Sequence, residues 1–421
     1  MIFDVPFYQL FILSVDGLFN VFFRPVFYFV VFMVYWQCKN LASQQKMLFG
    51  CENMPVWQSV LEATATGMLG GVIASMLVLL TGLSVNGLGI EYIWPLALIL
   101  LIINTRFFCF AYAGGVIALS NIFLGWPEVA PEHLLALIAI LHITESVLVF
   151  IGGRYSVLPV YVEFKEKAVG GFLLSNFWPL PLILTVIVVI PEGQLLEIIN
   201  MPDWWPIFPI QEAPEGYTNV SIPITIAAVL GYSSISLNSS PVVKRRFSAV
   251  VLFVYSIFLL LLAYLSIGNP PCGILAAIVS VFGHELVIYF DNKRETSREP
   301  QYCHVSGQYT VLSTLYGSPA RRAGLKTNDI ILRLNGQQIY DEGDLLLLTD
   351  FLPEKFELEI LRAGQPMILP VHLPISEKKS FGIIGMPMDG KTYLLSFTAN
   401  HSLLSTWRKK YKFFKKKNRG Q

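Results

Sequence analysis

The sequence predicts a polytopic all-α transmembrane bundle followed by a small α+β domain, and three observations carry that expectation. Of 421 residues, 54% are hydrophobic and 14% charged, too apolar and too sparsely charged for a water-soluble chain. Apolar stretches of membrane-spanning length recur as far as about residue 290. Beyond about residue 300 they give way to short alternating runs broken by turn residues.

A hydrocarbon core of about 30 Å takes about 20 helical residues, and about nine stretches meet or approach that length. They centre in 20–37, 59–81, 90–104, 107–124, 132–151, 172–190, 220–238, 247–267 and 271–290. The third is short. Asp16 and Arg24 interrupt the first apolar region, so 1–36 also accommodates a re-entrant segment plus a span. Residues 1–20 lack a basic start and a small-residue cleavage site, and are read as retained.

Loop charge orients the spans, because Lys and Arg are held on the cytoplasmic side. Lys39 and Lys46, then Arg106, then Arg154, Lys165 and Lys167, then Lys244, Arg245 and Arg246, then Lys293 and Arg294 fall in alternate loops, and the intervening loops hold none. The loop 191–219 has Glu192, Glu197, Asp203, Glu212 and Glu215 beside Trp204 and Trp205, which suit an outer interface. Everything after residue 291 is therefore expected in the cytoplasm and the N-terminus outside. No internal repeat of the kind that marks many transporters is evident.

The net charge of +1 hides a basic end, since the last fourteen residues hold eight Lys or Arg and no acid. WRKKYKFFKKKNR (407–419) interleaves aromatics with cations, which suits anionic lipid, and no nucleic-acid partner is expected. The five cysteines are scattered without C-x-x-C spacing, so neither a disulfide framework nor a zinc site follows from them.

Domain limits are expected at 1–291 for the membrane domain, 300–390 for the small domain and 391–421 for the basic tail. Within the small domain Tyr309–Leu312 reads as a strand, GSPARRAGL (317–325) as a turn with one helical turn, and DIILRLNG (329–336) as a strand ending in a tight Asn-Gly turn. A helix follows, N-capped by Asp341 and carrying Leu345, Leu346, Leu348 and Phe351. Residues 355–362 and 366–373 read as a hairpin.

The pattern S-P-A-x-x-A-G-L-x-x-x-D-x-I-x-x-x-N-G, from Ser318 to Gly336, resembles bacterial PDZ domains. FGIIGMP (381–387) resembles the groove-lining stretch that follows the hairpin in members with permuted strand order. The resemblance implies peptide capture by strand addition along Phe381, Gly382, Ile383 and Ile384. Leu345, Leu346 and Thr349 would supply selectivity, and Gly382 would leave room for a carboxylate. Asp329, Asn335 and Gly324 are read as structural.

Gly283-His284-Glu285 is similar to the start of H-E-x-x-H, but Ile288 stands at the second histidine position. Site-2 proteases combine that motif with a similar PDZ domain, placing further spans after it. His142 and Glu145 at i, i+3 are read as a hydrogen-bonding pair inside the bundle, with a proton or solute pathway as the next alternative and a metal site shared with His284 and Glu285 as the least favoured. Ser240, His304 and Asp329 lack any nucleophile-elbow context. No catalytic or metal set is complete, and no cofactor and no enzymatic activity are expected.

A long membrane half followed by one PDZ domain resembles the MinJ-like proteins of Gram-positive bacteria; in the membrane half only SNFWPLP (175–181) and the GHE stretch add to that likeness. The resemblance implies a non-enzymatic adaptor of the bacterial plasma membrane, with MinD-like and DivIVA-like division proteins as partners.

Overall fold

The computed structural model describes residues 5–49, 55–152, 157–193, 199–349, 351, 353–374, 381–387 and 395–396. The tail 407–419, and most of 391–421, lie outside the described residues.

Helices α1 (Phe7–Val21) and α2 (Pro25–Phe49) form a pair bent by 78°. Helix α3 (Val56–Thr81) follows, then α4 (Ile90–Ile103), a 3-10 turn (Thr105–Phe108), α5 (Phe110–Leu124) and α6 (Pro131–Ile151). Helix α7 (Pro241–Leu265) packs beside α6. Helix α8 (Pro270–Ile278) continues through a π-helical turn (Val279–Gly283) into α9 (His284–Thr296). Among the described residues, four helical segments are long and apolar enough to cross a membrane, or five with the bent pair counted as one. The outward face of α7, with Val250, Val254, Ile257 and Leu261 exposed, suits lipid contact.

The expected spans at 172–190 and 220–238 are not helices. Strands β1 (Val157–Phe164), β2 (Lys167–Pro191) and β3 (Tyr217–Ser236) form an antiparallel sheet, with β2 and β3 paired residue for residue over twenty positions. Hydropathy alone misread this ribbon. Pro179, Pro181 and Pro223 would each cost a helix about 3 kcal/mol, and Thr185–Ile190 is an unbroken β-branched run.

An open ribbon against apolar helices needs its edge groups satisfied. Residues 179, 181, 183, 185 and 187 of β2 point their backbone groups away from β3. The two prolines have no N–H to satisfy. Ile183 N–H donates to Ser75 Oγ at 2.9 Å, Thr185 O accepts from Val85 N at 2.7 Å, and Ile187 N–H donates to Asn86 Oδ1 at 2.9 Å.

Helix α3 fits this edge by arithmetic. Four helical residues rise about 6 Å and two strand residues about 6.6 Å, so Gly67, Gly71 and Ser75 meet Pro179, Pro181 and Ile183 in step. A Cβ on Gly67 or Gly71 would stand 2.2 Å from the carbonyl oxygen of Pro179 or Pro181. Trp178, Leu180, Leu182 and Leu184 then join the buried core with Leu134–Leu141 of α6.

Contacts sort the elements to two ends. Thr81 O accepts from Ile207 N and Gly87 O from Ala130 N at one end. At the other, Glu295 on α9 accepts from the backbone N–H of Leu237, Asn238 and Ser239, and buried Lys244 pairs with Asp291 at 2.8 Å. Helices α4 and α5, about 21 and 22 Å long by their rise, fall short of a bilayer core. Both leave from the first end, so they form a helical hairpin whose tip, Thr105–Cys109, stops partway along α6. Arg106, expected in a cytoplasmic loop, sits at this tip.

Gln301 N–H donates to Leu237 O, and Gly170 N–H donates to Tyr302 O, so the linker after α9 runs along the sheet. The C-terminal module comprises β4 (Tyr309–Thr314), α10 (Pro319–Arg322), β5 (Ile330–Leu334), β6 (Gln337–Gln338), α11 (Glu342–Thr349), β7 (Lys355–Arg362), β8 (Gln365–His372) and β9 (Ile383–Gly385). Its sheet order is β8-β7-β5-β4-β9, with β6 pairing β5. A two-residue strand, β10 (Leu395–Ser396), returns to β1.

Candidate functional site

The groove expected in the C-terminal module starts from a chain-stiffened turn. Ser318 caps α10 by accepting from Arg321 N–H at 3.3 Å, and Gly324 closes it at φ 87°. Asp329, 1% exposed, accepts a two-pronged bond from Arg362 at 2.8 and 2.7 Å and a third from Lys326 N–H at 2.7 Å. The Asp329 hydrogen bonds hold the Arg362 guanidinium above its ordinary range. Asn335 and Gly336, at φ 49° and 83°, make the tight turn. The Ser318 cap, Gly324 and the Asp329–Arg362 pair, which also reaches Gly324 O, fix the loop on which β9 rests.

Strand β9 is the edge of its sheet, paired with β4 among the described residues. Phe381 O accepts from Ala320 N–H at 3.1 Å, and Gly382 O accepts from Leu315 N–H at 2.9 Å. Gly382 has φ 83°, and a Cβ there would stand 2.3 Å from Ser318 Cβ. The space expected to admit a carboxylate at Gly382 is thus occupied on that side by Ser318. The glycine is required by the close approach of strand to loop.

Side chains of β9 alternate. Ile383 packs on the module's own core beside Phe381, while Ile384 and Met386 pack with Tyr161, Phe172, Tyr302 and Leu312. Tyr161 Oη donates to Gly385 O at 3.0 Å. One face of the expected peptide strand is therefore clamped to the β1–β2 sheet. Burial in this joint pushes the Tyr302 phenol up to about 12.

Helix α11 divides the other expected residues. Leu345 and Thr349 are buried, and Thr349 Oγ1 donates to Leu345 O at 2.6 Å. Leu346 is 63% exposed, with Leu347 and Phe351 exposed near it. The last two were not expected as contact residues, although an apolar pair following Leu346 was visible in the sequence.

The candidate polar residues of the helical half converge elsewhere. His142 Nδ1 lies 2.7 Å from Ile138 O, and His142 Nε2 lies 3.2 Å from Cys109 Sγ. His284 Nδ1 is 3.1 Å from Tyr112 Oη, which donates to Glu285 Oε1 at 2.6 Å. Glu285 also pairs with Arg106 at 2.8 Å. Glu145 is not in the group formed by Cys109, His142 and His284, whose ligand atoms lie within 4.8 Å of one another. Cys109 and Tyr112 carried no sequence signal, because only the hairpin tip brings them to α6 and α9. Ser240 is the N-cap of α7 and Asp329 is held by Arg362, so neither serves a triad with His304.

Residues 312–362 match the family model described as PDZ domain. A protein of Ralstonia nicotianae named "Putative zinc metalloprotease" is 40% identical over 70 residues, 16% of this chain and 15% of that relative. The alignment thus spans under a sixth of the relative's length. The chain carries a PDZ domain, a protein-interaction module, behind a region of apolar helices and one long β-ribbon.

Proposed function

We propose that the protein is a membrane-anchored adaptor whose PDZ domain captures an extended peptide of a partner protein along the edge of β9. The observation that carries this reading is the placement of β9: an edge strand held from behind by Tyr161 and the β1–β2 sheet. An edge strand offers a row of backbone donors and acceptors. A rigid mount lowers the ordering cost of binding. Phe381, Gly382, Ile383 and Ile384 supply the pairing strand. Leu346, with Leu347 and Phe351, supplies the apolar contact from α11, while Leu345 and Thr349 hold that helix in place.

The loop charges support a cytoplasmic PDZ domain at a bacterial plasma membrane. Replacing two expected spans by a ribbon that goes out and returns leaves the sidedness of every later segment unchanged. The same holds for the α4–α5 hairpin. The architecture resembles the MinJ-like adaptors, which supports a role in division-site selection with MinD-like and DivIVA-like partners, and the basic tail suits anionic lipid. A second reading, a degenerate relative of membrane metalloproteases, has the 70-residue similarity in its favour. Against it, the glutamate after His284 is tied to Arg106 and Tyr112.

Partner capture by the full-length protein tests the adaptor reading. Leu346→Glu places a charge on an exposed site without touching the core, and is expected to weaken the captured partner's affinity by about tenfold, the loss of one apolar contact of about 1.4 kcal/mol. Undiminished capture by Leu346→Glu and by Leu347→Glu would remove α11 from the binding surface.

A further inference from the structure

We infer that Cys109, His142 and His284 form a zinc site at mid-depth of the helical bundle, closed by the tip of the α4–α5 hairpin. Three elements distant in sequence deliver one ligand each. Their ligand atoms lie within 4.8 Å of one another. With Zn–S near 2.3 Å and Zn–N near 2.0 Å, tetrahedral ligands stand about 3.3–3.6 Å apart, a side-chain adjustment away.

The second nitrogen of each imidazole is already engaged, as a metal-bound histidine requires. Ile138 O accepts from His142 Nδ1–H, which leaves the Nε2 lone pair facing Cys109 Sγ. Tyr112 Oη gives its proton to Glu285, so its oxygen accepts from His284 Nδ1–H and frees the other nitrogen of His284. Both tautomers are thereby set with one ring nitrogen left unprotonated and able to ligate.

The backbone points the same way. His284 directly follows the π-helical turn Val279–Gly283, a device that re-aims side chains and recurs at functional sites. Tyr255 stacks edge-on to both imidazoles, at 5.7 and 6.2 Å between ring centroids, and walls one side. A thiolate with two imidazoles is a borderline-soft set that suits zinc over calcium or magnesium. The site differs from H-E-x-x-H: one helix supplies one histidine, and Glu285 faces Arg106. It stands independently of the adaptor reading.

The test is metal analysis of the full-length protein, purified in detergent without chelator or polyhistidine tag, and again after exposure to zinc or cobalt. About one zinc per chain is expected, falling about tenfold in Cys109→Ser and in His284→Gln. The cobalt-loaded protein should show a thiolate-to-metal charge-transfer band that Cys109→Ser abolishes. Tyr112→Phe, which removes the acceptor behind His284 and the donor to Glu285 while keeping all three ligands, should weaken affinity about tenfold with stoichiometry kept. Substoichiometric metal after loading, a cobalt spectrum without the thiolate band, or copper(I) bound in preference to zinc would each overturn the assignment. Elution as a monodisperse species confirms that each variant is folded, and His142→Ala adds a further variant if Cys109→Ser is not.

Discussion

Replacing Asp291 by Ala is expected to destabilise the folded protein by about 3–5 kcal/mol, the cost of leaving a buried charge without its partner. Lys244 is fully buried, its Nζ 2.8 Å from Asp291 Oδ2 and 2.7 Å from Asp291 O. Ser234 and Ser248 donate to the same carboxylate. One side chain thus joins β3, α7 and α9 at the point where the bundle hands the chain to the PDZ linker. The signature is non-additivity. Lys244→Met alone leaves the carboxylate with its two serine donors and should cost less, and Lys244→Met with Asp291→Leu should recover much of the loss, because no buried charge remains. Denaturant unfolding of the four proteins in detergent measures the cycle. A single Asp291→Ala effect below about 1 kcal/mol would mean that water reaches Lys244.

The second large effect is expected at Gly71. Any side chain there meets the Pro181 carbonyl oxygen at 2.2 Å and the proline ring at 2.9 Å. A backbone carbonyl and a ring closed onto the backbone leave nothing to rotate away. Gly71→Val should therefore push β2 off α3 and break the Ser75–Ile183 bond one turn along, at a cost of about 3 kcal/mol or more. Gly125→Ala is the contrasting change: a Cβ there meets nothing within 4 Å, and its φ of 68° supplies the only penalty, about 1–2 kcal/mol. Thermal unfolding that ranks Gly125→Ala above Gly71→Val in damage would show that the helix and ribbon do not pack through these glycines.

Much of the PDZ module was legible because its signals are local. Capping at Ser318, positive φ at Asn335 and Gly336, and the alternation in 355–362 are each decided within a few residues. The ribbon was not legible from hydropathy, which measures burial and is indifferent to whether the backbone bonds within a helix or between strands. Pro179, Pro181 and Pro223 were the available signal, since all sit at odd positions where a ribbon edge needs no N–H. The match of Gly67, Gly71 and Ser75 to that edge is tertiary and shows in sequence only as a four-residue spacing.

The polar residues divide in the same way. His142 and His284 drew notice as ionisable residues in apolar helices. Cys109 did not, because a lone cysteine is ordinary and its neighbours come from residues more than thirty positions away. At the groove, the motif located β9 and α11 but not which side chains face outward. An eight-residue helix has too few turns for its periodicity to separate buried Leu345 from exposed Leu346. Gly382 was read as leaving room for a carboxylate, whereas the close approach of Ser318, which a Cβ at Gly382 would meet at 2.3 Å, is a tertiary contact that its local sequence does not show.

Hydrogen exchange of the full-length protein in lipid nanodiscs, with and without a bound partner peptide, tests strand capture most directly. Strand capture slows exchange at the amides of Gly382 to Gly385, with smaller changes on α11. Protection confined to the opposite face, around Ile330–Leu332, with β9 unchanged, would contradict it.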